Sequence, residues 1–390
     1  MSVRILADVN IPYVTRCFSH LGTVRTIPGR QITAREVQGA DILLVRSVTP
    51  VNRQLLEGSA VRFVGTATIG FEHVDVEYLK EKGIAFASAP GSNANSVAEY
   101  VVAALLEIAQ KKGLSLEGKS IGIIGAGHVG SLVERKCRAL GMRVVLNDPP
   151  LFRKTADPIY RPIEETLDCH IVTLHVPLTF DGPDRTFHLA DDRFFDVLRT
   201  GAIFVNTSRG AVHHTSALKK AIRSGRLSAV VLDVWEAEPN VDLELLDMVD
   251  IATPHIAGYS LDGKVAGMIM IYQKVCEFLG QRPIFEASDL LPAPDVPLVR
   301  LQEGQDPLCA ILQAVRCVWP ILEDDRQMRA TLADRQRVAA IFDALRRDYR
   351  QRREFHNTTV LIGPGSCRLA DMLSGIGFKI GRMSDDQEDR

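Results

Sequence analysis

The sequence predicts an α/β protein with two doubly wound, Rossmann-like parallel-sheet domains and a C-terminal α+β domain. Three observations lead to this fold class. Short apolar runs alternate with amphipathic stretches, a glycine-rich motif lies between a strand and a helix, and the pattern changes after a proline-rich stretch near residue 290. A chain of 390 residues is also too long for one ordinary domain.

Residues 1–95 predict the first part of one domain. Short apolar runs predict its buried strands, and stretches with helical spacing separate them. The strand candidates are RILAD (4–8), DILLVRS (41–47), RFVGTA (62–67) and IAFASAP (84–90), and the helix candidates include VNRQLLEGS and VDVEYLKEKG. This alternation is typical of a parallel sheet that is covered by helices on both faces.

Residues 96–257 predict a second doubly wound domain. SVAEYVVAALLEIAQKKG has the pattern of one long helix, which we expect to begin at the serine cap Ser96 and to end at Gly113. Later strand candidates are HIVTLHV, GAIFVNT, SAVVLDV and VDIATP. Over residues 258–286 the helical stretch KVAGMIMIYQKVCEFLG should return the chain to the first domain.

Residues 287–390 predict a third, α+β domain after the proline-rich linker DLLPAPDVP. DRQRVAAIFDALRRDYRQRREF predicts a charged amphipathic helix, and VLIGPG, CRLADMLSGIG and FKIG predict a strand, a helix and a strand. The arginine run at 346–353 could suit nucleic acid, but interleaved acids at helical spacing favour a solvated or subunit-facing helix. The terminal SDDQEDR is expected to fray.

The composition and charge of the chain argue against a nucleic-acid-binding, membrane-spanning or secreted protein. The net charge of −2 gives no indication of a nucleic-acid partner, and YVVAALLEIA is too short to cross a membrane. The N-terminal residues lack the pattern of a signal peptide. Seven cysteines without a CxxC pair predict reduced thiols and no metal site. We therefore expect a cytoplasmic protein without a membrane partner.

GAGHVG, residues 125–130, has the spacing of a dinucleotide-binding turn. It follows the apolar strand SIGII and opens the helix SLVERKCRAL, which is the context that this motif requires. Gly125 would permit the tight turn, Gly127 the close approach of a pyrophosphate, and Gly130 the packing of helix on strand. The competing interpretation is a purely structural glycine turn.

Asp148 ends the next predicted strand, MRVVLND, about twenty residues after the glycine turn, at the usual distance for this motif. An acid at this position binds the ribose hydroxyls of NAD, and its charge would repel the additional phosphate of NADP. The predicted cofactor is therefore NAD.

Three later segments place candidate catalytic groups at predicted strand ends. IFVNTSRG supplies Arg209, VVLDVWEAEP supplies the acids Asp233, Glu236 and Glu238, and TPHIAGYS supplies His255. Arginine can grip a substrate carboxylate, histidine can accept a hydroxyl proton, and a carboxylate can orient the imidazole. Spacing alone does not decide which acid does this, and a satisfied core histidine is the alternative for the residue at 255.

GAGHVG, NTSRGA, DVWEAEP and TPHIAGYS, in this order and spacing, resemble the D-isomer-specific 2-hydroxyacid dehydrogenases over about residues 1–285. The resemblance implies that Arg209, Glu238 and His255 are the catalytic arginine, glutamate and proton-carrying histidine. It gives Glu236 no role. His213 and His214 have no counterpart in the family, and we interpret them as surface residues at the start of a helix.

The resemblance also implies a set of NAD contacts that follows these motifs. They are Gly125, Gly127, His128, Val129, Gly130, Asp148, Val176, Thr207, Ser208, Asp233 and Gly258. Asp233 would lie near the nicotinamide amide. Val176 stands where the family pattern has threonine, a change that is harmless if only the backbone contacts NAD and weakening if a hydroxyl is used.

Further stretches, among them LVRSVT, FVGTATIGFEHVD, HVPLTFDGP and LLPAP, resemble one subgroup of this family, whose members act on a phosphorylated 2-hydroxy acid and form homodimers through a C-terminal extension. This implies substrate contacts at Ser47, Thr68 and Tyr259. Arg46, at a predicted strand end, is a candidate for the phosphate, although a surface arginine remains possible. Ser47 and Thr68 could equally cap turns, and Tyr259 could be an ordinary packing aromatic.

The same resemblance assigns roles to the domains. Residues 1–95 and 258–286 would bind substrate, residues 96–257 would bind NAD, and residues 287–390 would form the dimer. The alternatives are another dehydrogenase of the family, acting on 3-phosphoglycerate or glyoxylate, and an NAD-sensing corepressor or scaffold without turnover. The stretches VRSVT and GTATIG disfavour the first, and the lack of long basic flanks disfavours the second.

Overall fold

The computed structural model describes residues 2–332, 334 and 336–382. The described chain forms two compact units. Of the described residues, those up to 93 and residues 260–292 form one unit, and residues 94–259 together with the described residues from 293 onward form the other.

The first segment of the chain forms a five-stranded sheet in which every pairing is parallel, in the order β2-β1-β3-β4-β5. Its strands are β1 (Val3–Asp8), β2 (Gly22–Ile27), β3 (Ile42–Val45), β4 (Phe63–Thr66) and β5 (Ala85–Ala87). Its helices are α1 (Val14–Phe18), α2 (Ala34–Val37), α3 (Arg53–Leu56) and α4 (Val76–Glu81). The predicted doubly wound sheet is confirmed.

Residues 94–259 form a six-stranded parallel sheet in the order β11-β10-β9-β8-β6-β7. The strands are β6 (Ser120–Ile124), β7 (Arg143–Asn147), β8 (Ile171–Leu174), β9 (Ala202–Asn206), β10 (Leu227–Leu232) and β11 (Ile251–Ala252). The helices are α5 (Ala94–Lys112), α6 (His128–Ala139), α7 (Pro149–Thr155), α8 (Ile163–Leu167), α9 (Asp192–Val197), α10 (Thr215–Arg223) and α11 (Leu243–Met248). The strand order reverses between β6 and β8, where such sheets bind ligands beyond the carboxyl ends of their strands.

The remaining segments complete the two units. Helix α12 (Leu261–Phe278) belongs to the first unit, where its buried residues pack against those of the first sheet. The C-terminal segment belongs to the second unit and adds a three-stranded parallel sheet, in the order β12-β13-β14, with four helices. They are β12 (Leu298–Arg300), β13 (Thr359–Ile362), β14 (Lys379–Arg382), α13 (Pro307–Val318), α14 (Ile321–Leu332), α15 (Val338–Arg347) and α16 (Cys367–Ile376).

Both large sheets bury apolar side chains on both faces. In β9, Ile203 and Val205 enter one core cluster, whereas Phe204 enters the other. The two clusters also receive C-terminal residues, since Trp319 joins the first and Phe342 joins the second. Because successive residues of a strand point to opposite faces, the continuous apolar runs of the sequence are explained by burial on both sides. Among the described residues, no helix has the length and apolar content that a membrane crossing requires.

Two predicted helix boundaries are wrong. Helix α5 begins at Ala94, and Ser96 is a buried residue inside it, whose hydroxyl donates to the carbonyl of Ala257 at 2.7 Å. The charged helix predicted over 334–355 ends at Arg347. Arg352, expected on a solvated or subunit-facing helix, lies in a loop and is buried within this unit. The terminal SDDQEDR lies outside the described residues.

Candidate active site

The glycine-rich turn joins β6 to α6 at the point where the strand order reverses. Gly125 has a φ of 92°, and a Cβ there would lie 2.6 Å from the carbonyl oxygen of His175. A Cβ on Gly130 would lie 2.0 Å from the carbonyl oxygen of Gly125, whereas one on Gly127 would meet no atom within 4 Å. The turn is thus closed toward the protein and open at Gly127, which suits the approach of a pyrophosphate to the start of α6.

Asp148 follows β7 and connects the turn with helix α7. One carboxylate oxygen accepts from the backbone N–H of Ala126 at 2.9 Å, and the other accepts from that of Leu151, also at 2.9 Å, as the cap of α7. These bonds hold the carboxylate beside the glycine turn, where the sequence predicted contact with the ribose hydroxyls. Together, the open turn and the fixed acid fit NAD.

The end of β8 contributes His175 and Val176. The imidazole of His175 is hydrogen bonded to Thr173 at 3.0 Å and to the predicted cofactor residue Thr207 at 3.3 Å. Burial lowers the pKa of His175 to about 3, so the ring is neutral. A γ-methyl of Val176 would lie 3.0 Å from a Cβ at Gly125. Val176 therefore lies directly against the glycine turn. Whether valine in place of threonine weakens NAD binding remains a prediction.

Asn206, the last residue of β9, organises the loop that carries Arg209. Its carbonyl oxygen accepts from the backbone and hydroxyl of Ser208, and its amide nitrogen donates to the carbonyl of Arg209 at 3.0 Å. The guanidinium of Arg209 donates to the carbonyl of Ser208 at 2.9 Å. Sequence reasoning did not identify Asn206, although an asparagine that ends a buried strand next to Thr-Ser-Arg-Gly is a usable signal for a side-chain-stabilised turn.

Gly210 brings this loop against the segment that carries Glu238. A Cβ at Gly210 would lie 2.0 Å from the carbonyl carbon of Trp235, so only glycine permits the observed approach of the two backbones. The Trp235 indole donates to the carbonyl of Thr253 at 3.0 Å, which ties the segment to the His255 loop. The three predicted catalytic segments therefore meet at the carboxyl ends of the neighbouring strands β9, β10 and β11.

His255 and Glu238 form the centre of the site. The Nδ1 atom of His255 lies 2.7 Å from Oε2 of Glu238, and Oε1 of the same carboxylate accepts from the backbone N–H of Trp235 at 2.8 Å. A carboxylate only accepts, so Nδ1 donates, and the neutral imidazole carries its lone pair on Nε2. Such a ring can accept a proton at Nε2.

Asp233 holds the His255 loop in place. It is 1% exposed, and its carboxylate accepts from the Thr253 hydroxyl and from the backbone N–H groups of Ile256 and Ala257 at 2.7, 2.7 and 2.9 Å. The backbone of His255 has a φ of 56°, which is uncommon for a residue other than glycine. These bonds stabilise that conformation. The predicted contact of Asp233 with NAD remains a prediction.

The charge of Glu238 is set by opposing effects. Burial raises its pKa, but His255 and the guanidinium of Arg346 outweigh burial, so the pKa of Glu238 lies below its ordinary value. The buried carboxyl of Asp233 behaves differently, because burial raises its pKa more than the neighbouring His255 charge and hydrogen bonds lower it. Glu238 is therefore the ionised acid that orients the imidazole, which resolves the choice that spacing left open.

Arg346, near the end of α15, was not predicted to belong to this site. Its Cζ atom lies 5.8 Å from the centroid of the Tyr259 ring, and the guanidinium interacts electrostatically with Tyr259, Glu238 and Asp233. No local signal distinguishes it from the other arginines of the run at 346–353. Its position follows from the packing of the C-terminal segment against the NAD-binding sheet.

The prediction for His213 is wrong. The side chain is fully buried, and Nδ1 is hydrogen bonded to the amide of Asn206 at 3.0 Å. Since an amide nitrogen donates, Nδ1 accepts, and burial lowers the pKa of His213 to about 4. The residue supports the Arg209 loop as a neutral ring. His214 precedes α10 and is partly buried.

Glu236, to which the resemblance gave no role, has a structural one. One of its oxygens accepts from the backbone N–H of Thr215 at 2.8 Å, at the start of α10, and the other is bonded to His188 at 2.5 Å. The carboxylate thus joins the segment after β10 to the N-terminus of α10. The carboxylate that bonds to His255 is that of Glu238.

The predicted substrate residues divide between the two units. Arg46 and Ser47 follow β3 in the first unit, where Ser47 is exposed and Arg46 is partly buried. Thr68 follows β4, and its hydroxyl donates to the carbonyl of Gly70 at 2.9 Å and is bonded to Thr66 at 2.7 Å. The Thr68 hydroxyl is thus bonded within its own turn, and its contact with substrate remains a prediction. Tyr259 lies in the second unit, at the end of the His255 loop.

The remaining predicted cofactor residues lie around the glycine turn and the strand ends of the second unit. His128 and Val129 form the first turn of α6, Ser208 is buried beside Asn206, and Gly258 precedes Tyr259. Their contacts with NAD remain predictions.

Comparison with known proteins agrees with this site. Residues 93–257 match the family model of the D-isomer specific 2-hydroxyacid dehydrogenase NAD-binding domain, and residues 290–377 match a domain of unknown function. The chain is 47% identical over 380 residues to the erythronate-4-phosphate dehydrogenase of Salinibacter ruber, covering 95% of this chain and 96% of that one. It is 44% identical to the enzyme of the same name from Pseudomonas fluorescens, covering 96% and 99%.

Solved structures extend the likeness to the fold. A D-lactate dehydrogenase from Aquifex aeolicus, complexed with NAD and lactic acid, is 25% identical with a TM-score of 0.60, covering 71% of this chain and 95% of that chain. A cofactor-bound 3-phosphoglycerate dehydrogenase of Entamoeba histolytica, 24% identical with a TM-score of 0.61, covers 72% and 96% and shows the shared fold alone. This chain belongs to the D-isomer-specific 2-hydroxyacid dehydrogenase family, among the erythronate-4-phosphate dehydrogenases.

Proposed function

We propose that this chain catalyses the NAD-dependent oxidation of 4-phospho-D-erythronate to (R)-3-hydroxy-2-oxo-4-phosphobutanoate, a step in pyridoxal 5′-phosphate biosynthesis. The observation that carries the proposal is the 2.7 Å contact between His255 and Glu238 at the strand ends beside the glycine-rich turn. Relatives that match over nearly the full length carry the name of this activity. They favour it over the 3-phosphoglycerate or glyoxylate type and over a sensor without turnover.

The proposed mechanism assigns each group a task. Glu238 accepts from Nδ1 of His255 and keeps the lone pair on Nε2, which takes the proton of the C2 hydroxyl. Arg209 binds the substrate carboxylate through its planar fork of donors. Bound NAD would supply the hydride acceptor for C2. Asp148 and the glycine-rich turn would hold the cofactor, and Asp233 would keep the His255 loop in position.

After proton transfer, the charge of Glu238 stabilises the protonated form of His255. Once Nε2 takes the proton, the imidazolium lies against the ionised Glu238, whose negative charge stabilises it. The same pair can return the proton in the reverse reaction. We therefore expect oxidation to slow in acid, where a protonated His255 can no longer accept a proton, and reduction of the 2-oxo acid to tolerate acid better.

The first experiment measures NADH formation by the purified protein with 4-phospho-D-erythronate. Plain erythronate and 3-phosphoglycerate are the controls, and a parallel run contains an added 2-oxo acid so that bound NADH can be reoxidised. We expect turnover that requires the phosphate and that falls by about 10²–10⁴-fold in His255→Ala. Tight NAD binding without turnover of any of the acids would refute the proposal and favour the sensor.

Homodimer formation through the C-terminal segment and a cytoplasmic location are the finer parts of the proposal. The dimer is implied by the resemblance to the subgroup. The location is supported by the seven cysteines, all of which are free thiols in the structure, as expected in a reducing compartment.

A further inference from the structure

We propose that Arg346 is a specificity-determining residue that binds the phosphate end of the substrate, an inference that rests on the proposed function. The substrate would carry a carboxylate and a phosphate, the latter with a charge near −2 at neutral pH. Arg209 alone accounts for the carboxylate. A second cationic group is therefore needed at the same site, and the phosphate has no established partner among the residues of the second unit.

Arg346 lies where such a group could act. Its guanidinium lies 5.8 Å from the ring centroid of Tyr259, a residue that follows His255 by four positions. The guanidinium also lowers the pKa of Glu238. The Nε atom is buried and has no hydrogen-bond partner among the described residues. Arginine presents its donors in a planar fork that matches phosphate geometry, so an unused N–H beside Tyr259 is a donor available to an anionic ligand.

The position of Arg346 is fixed by its helix. Phe342, one turn earlier on α15, is fully buried in the core that it shares with the second sheet, and the Arg346 guanidinium lies 5.8 Å from its ring centroid. Tyr349, just beyond the helix, packs edge-on against Tyr259 with ring centroids 6.1 Å apart and donates to Asp324 at 2.9 Å. Arg346 is thus presented by a rigid element and reaches the site from the C-terminal segment.

A purely positioning role is the competing explanation. In that case Arg346 would only stabilise the negative charge of Glu238 and hold the Tyr259 ring. Loss of the guanidinium would then impair the proton acceptor whatever the substrate carries. Loss of a phosphate contact, in contrast, would affect only the phosphorylated acid, because plain erythronate has nothing to lose at that position.

The test compares Arg346→Gln with wild type on 4-phospho-D-erythronate and on a high concentration of plain erythronate. Arg347→Gln is the matched control, because Arg347 is the next residue of α15, is exposed, and forms an ion pair with Asp348. We expect kcat/KM for the phosphorylated acid to fall about 10–100-fold in Arg346→Gln, the usual size of a lost hydrogen bond to a charged group. The loss on plain erythronate should be much smaller than the loss on the phosphorylated acid, and the control variant should change less than about threefold on both.

Inorganic phosphate provides a second readout. It should inhibit the wild type competitively with the phosphorylated substrate, and this inhibition should weaken in Arg346→Gln and recover in part in Arg346→Lys. Equal losses on both acids, or a shifted pH profile with unchanged phosphate inhibition, would overturn the proposal in favour of the positioning role. If the wild type turns over neither acid, the proposed function fails. Calorimetric titration of 4-phospho-D-erythronate into both proteins in the presence of NAD then still decides the role of Arg346.

Discussion

At the scale of the residue, His255 combines an uncommon backbone conformation with an oriented side chain. Its φ of 56° is stabilised because Asp233 accepts the two backbone N–H groups that follow it, and its ring is oriented by Glu238. Backbone strain of this kind costs of order 1–3 kcal/mol and persists where surrounding contacts determine it. Here the conformation directs the imidazole toward Glu238, and the contacts of Asp233 are what maintain it.

Glu238→Gln tests the orientation of the imidazole. The amide can present either its oxygen or its nitrogen to Nδ1, so the ring loses its single tautomer, and we expect kcat to fall by about 10²–10⁴-fold. NAD affinity should stay near that of wild type, since the glycine turn is untouched. The measurement is steady-state oxidation together with NAD binding by fluorescence.

Glu236→Gln is the matched control on the same segment. Glu236 bonds to Thr215 and His188 rather than to His255, so its loss should lower stability by about 1 kcal/mol while kcat stays within a few-fold of wild type. If the Glu236 variant lost as much activity as the Glu238 variant, the assignment of the orienting acid would be wrong.

At the scale of the element, the two glycines Gly127 and Gly130 in the turn between β6 and α6 have different functions, one in ligand binding and one in packing. A Cβ on Gly130 would collide with the carbonyl oxygen of Gly125, whereas one on Gly127 would point into open space. The two glycines thus serve different purposes within one motif, although the sequence pattern treats them alike. Close backbone packing depends on Gly130, and access for an anion depends on Gly127.

Gly127→Ala and Gly130→Ala should therefore have different effects. In Gly127→Ala we expect unfolding free energy within about 0.5 kcal/mol of wild type and weaker NAD binding, because the methyl group occupies the ligand's space. In Gly130→Ala we expect a loss of about 1–3 kcal/mol from overpacking, with weaker NAD binding as a consequence. Urea denaturation and NAD titration measure both quantities. Equal stability of the two variants would contradict the assignment.

At the scale of the whole molecule, a buried ion network joins the C-terminal segment to α5 of the second unit. Arg352 donates to Glu99 at 2.9 Å and to Ser96 at 2.6 Å, and its guanidinium lies 3.6 Å from the centroid of the Trp319 ring. Burial raises the pKa of Glu99 to about 7, although Arg352 and Lys136 act against it. Oxygens of Glu99 and Glu354 and a ring nitrogen of His356 lie within 4.8 Å of one another, and the charge of Glu354 also raises the pKa of Glu99.

Arg352→Met should destabilise the fold by about 3–5 kcal/mol, because it removes the guanidinium that donates to the buried Glu99 carboxylate. The double variant Arg352→Met with Glu99→Gln should recover part of this loss. Arg347→Gln, which breaks an exposed and solvent-screened pair, should leave stability close to that of wild type. Urea denaturation of the four proteins measures these differences, and a double variant no better than the single one would argue against a charge effect.

The stability of the folded protein should depend on pH through the titration of Glu99. The folded pKa of Glu99 is about 7 and thus above its ordinary value of 4.5, so the folded protein retains a proton that the unfolded chain has released between those values. Its contribution to stability is therefore lost as the pH rises through this window. In Arg352→Met, which lacks a cation that lowers the pKa of Glu99, the loss should continue to higher pH, and in Glu99→Gln this dependence should disappear.

The sequence by itself determined the parallel sheets, the glycine turn and the candidate catalytic set. These are local signals: apolar runs of strand length, GAGHVG between a strand and a helix, and polar residues that directly follow strands. Because the carboxyl ends of parallel strands meet at one edge of a sheet, Arg209, the acids and His255 could be placed together before any coordinates. The family resemblance then singled out Glu238, which its hydrogen bond to His255 supports.

Only the tertiary structure decided what the C-terminal arginines and the histidines at 213 and 214 do. Arg346 faces Tyr259 and Arg352 is buried against Glu99, whereas Arg347 is exposed, although all three belong to one charged run. His213 is a core residue because the loop after β9 folds back onto Asn206. Such environments depend on contacts between residues far apart in the chain, and helical periodicity gives no information about where a helix ends or which distant groups meet it.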